Sequence, residues 1–221
     1  MDGLIQWWVT PKLPKKHIFT PSDKRPKGMY QLFRVYVRKW LIHPIKRRIA
    51  KYYLIFLKRL FGLKVIAITG SAGKTTTKEM IASILKRKGN TVSSFANIDP
   101  IYNIPTTILK CKPSTRYLVL EMGVEFPGEM DFYLWLARPD IGVITNIYST
   151  HTVYFKNIEG VAREKIKLIQ ALSTGDTAIL NANNRFTLRI KRKARAKTIL
   201  FGTKRNIWSS KISYDSKLKT R

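Results

Sequence analysis

One short segment, Gly70-Ser71-Ala72-Gly73-Lys74-Thr75-Thr76, has the residue types and spacing to hold a phosphate. Gly70 and Gly73 let the backbone turn tightly and come close to a ligand. Lys74 can reach terminal phosphate oxygens, and the Thr75 hydroxyl can ligate Mg2+. The helix that Lys74 opens offers unpaired N–H groups and a partial positive charge, which suit an anion. The general P-loop pattern G-x-x-x-x-G-K-[ST] would place a first glycine at 68, where this chain has Ile68. The bland alternative is an ordinary strand–turn–helix with a surface lysine. The glycine turn directly after an apolar strand and directly before GKT favours nucleotide binding.

Three more residues could join that chemistry. Glu121 ends the apolar run YLVLE, and an acid at the end of a buried strand can hold Mg2+ directly or through water. Asn146 and His151 stand at and just past the run IGVITN, where a histidine is a candidate ligand or phosphate contact. Lys165 lies in the helical segment AREKIKLIQAL, and by spacing alone reads as a solvated charge. Cys111 is the only cysteine, which excludes an internal disulfide and a multi-cysteine metal site and suits a reducing compartment. No partner pattern surrounds it, so it reads as a small core residue.

These residues need a scaffold that brings strand ends together. Strand-like runs are 64–69, 91–95, 117–122, 141–146, 177–180 and 198–201. Helical runs are 74–88, 105–110, 128–137 and 158–172. Val65-Ile66-Ala67-Ile68 is apolar throughout, as in a parallel strand covered on both faces. The alternation predicts an α/β fold: a P-loop-containing, mostly parallel sheet with helices on both faces, preceded by a basic amphipathic helical arm. Such sheets bind ligands beyond the carboxyl ends of their strands, where Gly70–Lys74, Glu121, Asn146 and His151 would converge.

The 221 residues carry 42 Lys/Arg against 13 Asp/Glu, a formal net charge of +29. The excess sits at the ends: 13 basic and no acidic residues from Lys24 to Lys64, and another 13 with only Asp215 from Arg185 to Arg221. Such ends point to a polyanion or an anionic membrane, or to a proteome that is basic throughout. Residues 1–28, with Pro11, Pro14, Pro21 and Pro26, read as an irregular basic arm. They lack a basic start followed by an apolar core, so no signal peptide is expected. Residues 29–62 read as basic amphipathic helices, split at Pro44, with Leu41, Ile45, Ile49, Tyr52, Tyr53 and Phe56 on one face. That face could lie on an anionic membrane surface or pack on the nucleotide domain, leaving the lysines merely solvated. Nucleic acid is the weakest reading, since no helix-turn-helix, zinc or RNA-binding motif is present.

Several ordered motifs together resemble one family. TGSAGKTTTKEM, LVLEMG with PGEM behind it, PDIGVITNIYSTH, EGVAREKIKLI and GDTAILNANN are similar to the central domain of the Mur ligases, the ATP-dependent ligases of peptidoglycan precursor synthesis. Folylpolyglutamate and cyanophycin synthetases are similar too. The match runs from about Lys64 to Gly202, and its wording is most similar to the members that add D-alanyl-D-alanine to a UDP-N-acetylmuramoyl tripeptide. The resemblance implies ATP and Mg2+ as cofactors. Gly70, Ser71, Ala72, Gly73, Lys74, Thr75 and Thr76 would form the ATP loop, with Thr75 and Glu121 on Mg2+. His151 would hold a second ion, together with Lys165 in carbamylated form. Lys74, His151 and Lys165 would be the catalytic set.

The implied reaction joins a carboxylate to an amine through an acyl phosphate. The implied substrates are a UDP-muramoyl-peptide-like molecule and an amino acid or dipeptide. Departures from the family pattern lie after Asn97, where Asp99-Pro100 and Asn103-Ile104-Pro105 stand, and at Lys167, where a glutamate is expected. The family's N-terminal UDP-sugar domain has no recognisable equivalent in residues 1–62, and its C-terminal domain is not recognisable either. Residues 63–221 therefore read as a C-terminally incomplete ATP-binding domain, from a truncated or split ligase with a separate C-terminal half as a candidate partner. The expected location is cytoplasmic, peripheral at the inner face of the membrane. The alternative is a non-catalytic ATP-binding module tethered by its basic helices to membrane or a partner.

Overall fold

The computed structural model describes residues 2–9, 28–95, 99–149, 152–192 and 194–202. Helices α1 (Asp2–Val9), α2 (Met29–Val37) and α3 (His43–Phe61) precede the sheet. The expected break at Pro44 does not occur. Proline has no N–H to donate, and the chain meets this by widening one turn, Arg38–Ile42, into a π-helix in which the His43 N–H donates to the Arg38 carbonyl. The result is one unbroken helical run from Met29 to Phe61. Asp2–Val9 is helical where an irregular arm is expected, and residues 10–27 lie outside the described residues.

After Gly62, in the left-handed conformation at φ 66°, the chain alternates strand and helix. The elements are β1 (Lys64–Thr69), α4 (Lys74–Lys86), β2 (Thr91–Ser93), α5 (Pro100–Ile108), β3 (Tyr117–Glu121), α6 (Glu129–Leu136) and β4 (Ile141–Ile144). Then come α7 (Thr152–Phe155), α8 (Ile158–Gln170), β5 (Thr177–Asn181), α9 (Arg185–Lys191) and β6 (Lys197–Phe201). The six strands form one sheet in the order β2-β3-β1-β4-β5-β6, every pair parallel. Strand β1 is central, flanked by β3 and β4, so its carboxyl end faces both of theirs.

Alternation along the strands builds two cores. Val65 and Ala67 of β1 and Leu118 and Leu120 of β3 face the larger one, with Leu54 and Leu57 of α3, Ile104 and Ile108 of α5, and Leu168 and Ile169 of α8. Ile66, Ile68, Val119 and Val143 face the smaller one, covered by Ile81, Ala82 and Leu85 of α4. Helices thus lie on both faces, as expected. Helix α5 starts at Pro100 rather than Pro105, because Asp99 caps it, accepting from the Ile101 N–H at 2.9 Å, and Pro100 fits the first turn. Helix α9 lies in what reads as a polybasic tail; the Asn184 side chain caps it, accepting from Phe186 and Thr187 N–H.

Helix α3 docks with a different face from the one its sequence pattern singles out. Pro44, Arg47, Ala50, Leu54 and Leu57 are buried. Leu41, Ile45, Ile49, Tyr52 and Phe56 are exposed; Tyr53 alone of that set is partly buried, its hydroxyl donating to the Cys111 carbonyl at 2.8 Å. Apolar residues occupy both sides of α3, so the packed stripe and the exposed stripe coexist. Polar pins fix the docking. Lys58 pairs with Asp140 at 3.0 Å, and the other side of that bond is structural, since Asp140 also accepts from the Val65 N–H at 2.8 Å. The buried Arg47 guanidinium stands 5.1 Å from the Phe132 ring centre. Burial lowers its pKa to about 10, so it stays charged at neutral pH. Cys111 is buried in this core and its thiol is pushed up to about 12 by burial, which makes it inert, as its sequence context predicts.

Candidate active site

The turn after β1 is templated by the chain that follows β4. Thr145 donates from its hydroxyl to the Ala72 carbonyl at 2.7 Å. The Asn146 side-chain oxygen accepts from the N–H groups of Ser71 (3.1 Å) and Ala72 (2.8 Å), and its amide nitrogen donates to the Ala72 carbonyl at 3.1 Å. The Ser71 hydroxyl bridges the Tyr148 backbone, accepting from its N–H at 2.9 Å. Gly70 is required by this closeness: a Cβ there would lie 1.9 Å from the Thr145 hydroxyl oxygen. Gly73, at φ 74°, is the left-handed residue from which α4 starts. With Ser71 and Ala72 held by Asn146, the N–H groups of the first turn of α4, which a helix leaves unpaired, are those placed to meet an anion.

Side chains converge on that turn from both neighbouring strands. Thr75 donates from its hydroxyl to a Glu121 carboxylate oxygen at 2.9 Å. Glu121 is positioned in turn through its own N–H, which donates to the Ser94 hydroxyl at 3.0 Å. The Ser94 carbonyl accepts from Lys78, a fully buried lysine whose ammonium also pairs with Glu79 at 2.8 Å. Lys74 runs beside Gly123, where a Cβ would make ordinary contact with the lysine Cε at 3.5 Å.

Lys165 overturns its spacing-based reading: it is 1% exposed, not a solvated charge. Burial foremost, and then the positive charge of Lys74, lower its pKa to about 8, against the opposing pull of Glu164 and Glu129. Val161, Lys165, Leu168 and Leu172 share a helical face, but a lysine on an apolar stripe can equally snorkel to water, so the packing of the helix decides its burial.

Glu164, which the sequence reading passed over, holds this region together. One carboxylate oxygen accepts from the N–H groups of Gly128 (3.0 Å) and Met130 (2.9 Å), capping α6. The other accepts from Lys167 at 2.9 Å, and Lys167 reaches on to Asp131 at 2.6 Å. Lys167 therefore has a structural partner set of its own, at the position where the resemblance leads one to expect a glutamate. Glu129 folds back on the loop before it, accepting from Glu125 and Phe126 N–H at 2.6 and 2.9 Å. Burial and then these acids raise the Tyr133 hydroxyl well above its ordinary range.

The structure thus brings Lys74, Thr75, Glu121, Asn146 and Lys165 to the carboxyl edge around β1. His151 and Asn97 lie outside the described residues. The donors fit Mg2+: the Thr75 hydroxyl and the Glu121 carboxylate are hard oxygen ligands, and that ion needs only one or two from protein when phosphate and water supply the rest. Among the described residues no group of three His, Cys, Asp or Glu could form an all-protein metal cage.

Residues 68–220 match the family described as the Mur ligase middle domain. The chain belongs to the Mur ligase family. It is 38% identical over 152 residues to the UDP-N-acetylmuramoyl-tripeptide–D-alanyl-D-alanine ligase of Buchnera aphidicola subsp. Baizongia pistaciae, an overlap of 67% of this chain and 33% of that one. The fold superimposes on MurF from Acinetobacter baumannii with a TM-score of 0.71 at 29% identity, covering 77% of this chain and 37% of the other. MurF ligase from Thermotoga maritima in complex with ADP gives a TM-score of 0.63 at 29% identity, covering 73% and 37%. The chain spans about a third of the length of the relatives it matches.

Proposed function

We propose that this chain is the ATP-binding part of an ATP-dependent carboxylate–amine ligase of peptidoglycan precursor synthesis. The observation that carries the reading is the meeting of Lys74, the Thr75–Glu121 pair and buried Lys165 at one sheet edge, in a Mur ligase middle domain. The T. maritima relative forms a complex with ADP, which supports nucleotide binding in this reading. In this reading Gly70–Thr76 hold the ATP phosphates, with Lys74 drawing charge from the terminal ones and the N–H groups of α4 facing them. Mg2+, when bound by Thr75 and Glu121, would supply further neutralisation of phosphate charge. A substrate carboxylate attacks the terminal phosphorus of ATP, breaking its bond to the bridging oxygen and expelling ADP, to give an acyl phosphate; an incoming amine then attacks the acyl carbon, loses a proton and expels phosphate, leaving an amide. The chain's main contribution is to align the reactants and to keep positive charge where negative charge develops.

Lys165 is suited to carbamylation. At pH 8 about half of its amines are neutral, against under about 1% for an ordinary lysine, and only the neutral amine attacks CO2. The carbamate would be a carboxylate-like group, which with His151 would hold a second ion.

The substrates in this reading are a UDP-muramoyl-peptide-like carboxylate and an amino acid or dipeptide amine. We assign residues 63–221 to the ATP-binding unit, 29–62 to a helical arm and 1–28 to a basic lead segment. A C-terminal ligase part, on the same or another chain, would complete the enzyme, which would work in the cytoplasm, peripheral to the inner face of the membrane. The test supplies the chain and a ligase C-terminal part with ATP, UDP-muramoyl tripeptide and D-alanyl-D-alanine. Phosphate release that needs both substrates supports the reading, and no release under any of these conditions contradicts it. A second reading, a tethered ATP-binding module without catalysis, is favoured by the exposed apolar side of the arm. It predicts ATP binding that is lost in Lys74→Ala, with no turnover in the same assay.

A further inference from the structure

We infer that the outer face of the Met29–Phe61 helix is a docking surface for an anionic phospholipid bilayer. This deepens the peripheral placement proposed above and is independent of the ligase chemistry. Ile45, Ile49, Tyr52, Phe56 and Leu60 recur at helical spacing along α3 and are 44%, 54%, 65%, 46% and 67% exposed. They lie opposite Ala50, Leu54 and Leu57, which hold the helix on the domain. The apolar row continues N-terminally through Leu41 and Ile42 to α2, where Tyr30, Phe33 and Tyr36 are also exposed. The run of 33 residues is about 50 Å long, and a row of exposed apolar side chains along such a run marks an interaction surface.

Charge decides what covers it. The Met29–Phe61 segment carries nine Lys/Arg and no Asp or Glu. Arg34, Arg38 and Arg59 are exposed on it. An anionic bilayer meets both the apolar row and the uniform positive charge along its whole length. The aromatic content suits the headgroup boundary, where tyrosine and tryptophan rings settle.

Helix α1 extends the same surface. Arg48 of α3 donates to the Trp7 and Trp8 carbonyls, both at 2.8 Å, and Trp8 donates from its indole nitrogen to the Trp40 carbonyl at 2.7 Å. This leaves Leu4 and Trp7 exposed at 76% and 61% beside the π turn. The helix lies on the bilayer rather than through it: among the described residues no helix is long and apolar enough to cross a membrane.

The experiment is co-sedimentation of the full chain with vesicles of phosphatidylcholine mixed with phosphatidylglycerol, beside vesicles of phosphatidylcholine alone. The chain should pellet with the mixed vesicles at low salt, and the bound fraction should fall as salt is raised. Ile49→Asp combined with Phe56→Asp should weaken that binding at least about tenfold, since two large apolar groups leave the interface. Arg38→Gln and Arg59→Gln should each weaken it about fivefold on the mixed vesicles only. ATP affinity measured on the same variants should stay unchanged, which separates lost docking from a lost fold and from the ligase reading. No pelleting at low salt overturns the inference. So does equal binding to both vesicle types, affinity for RNA in place of lipid, or a dimer in solution that Ile49→Asp dissociates, since the face would then serve another partner.

Discussion

The carboxyl edge of the sheet and the outer face of α3 both hold side chains that the main core does not absorb, but they are built in opposite ways. At the sheet edge Thr75, Glu121 and the phosphate-turn backbone are held by hydrogen bonds. Thr75 bonds Glu121, Glu121 is steadied by Ser94, and the loop backbone is held by Thr145 and Asn146. On α3, the inner face is pinned by Lys58–Asp140 and by Arg47 against Phe132, while Ile49, Tyr52 and Phe56 lie bare. The difference teaches where geometry matters. A site that aligns phosphates must be fixed before the ligand arrives, and so takes its order from the protein. A surface that binds a fluid partner needs apolar area and charge on one face, without fixed side-chain geometry.

The comparison can be broken most easily through α3. Leu54→Ala, on the packed face, should lose about 2–5 kcal/mol of stability in urea unfolding, because the cavity opens in the main core. A loss below that range would mean that the arm is only loosely docked.

The site's stored electrostatic cost gives the next effect. The folded pKa of Lys165, about 8, lies below its unfolded value near 10.5, so the unfolded chain binds more protons between them. Stability should therefore rise as pH climbs from about 8 towards 10.5, and Lys165→Met should stabilise the chain at neutral pH and flatten that rise. Thermal melts across this range read both. A variant that is less stable than the parent at neutral pH would show that Lys165 is favourably paired rather than penalised.

Gly70→Ala sharpens the role of the β4 loop. Its Cβ meets the Thr145 hydroxyl, so stability should fall by about 1–3 kcal/mol, together with nucleotide affinity. An unchanged melt would mean that Thr145 swings aside without cost. At the small end, Ile49→Ser on the bare face should change stability by no more than about 0.5 kcal/mol. A larger loss would mean that the face is covered within the chain itself.

Much of the strand pattern was readable because buried parallel strands are short apolar runs with turn signals on either side. The run 64–69 coincides with β1, and the glycine turn after it is where the site forms. What was not readable depends on contacts between distant segments. Pro44 looks like a break, yet a π turn absorbs its missing donor. The start of α5 was legible in Asp99-Pro100, a cap followed by a first-turn proline, but Pro105 drew the boundary away from it. Which apolar stripe of α3 would pack could not be chosen from a helix apolar on two sides. Lys165 and Glu164 are adjacent charges on a helix; only the packing of α8 against α6 reveals that both are buried and that one of them caps a helix. Asn146 is visible as a polar residue at a strand end, but its grip on the Ser71–Ala72 backbone is a product of the fold.

The central claim is that the edge around β1 binds ATP through Lys74, and calorimetric titration of the full chain with ATP in Mg2+ buffer tests it directly. The parent should bind, and Lys74→Ala, with an unchanged melting temperature, should bind at least about a hundredfold more weakly, from loss of a charge-assisted contact to phosphate. A parent that does not bind ATP, or a variant that binds it equally well, would contradict the account.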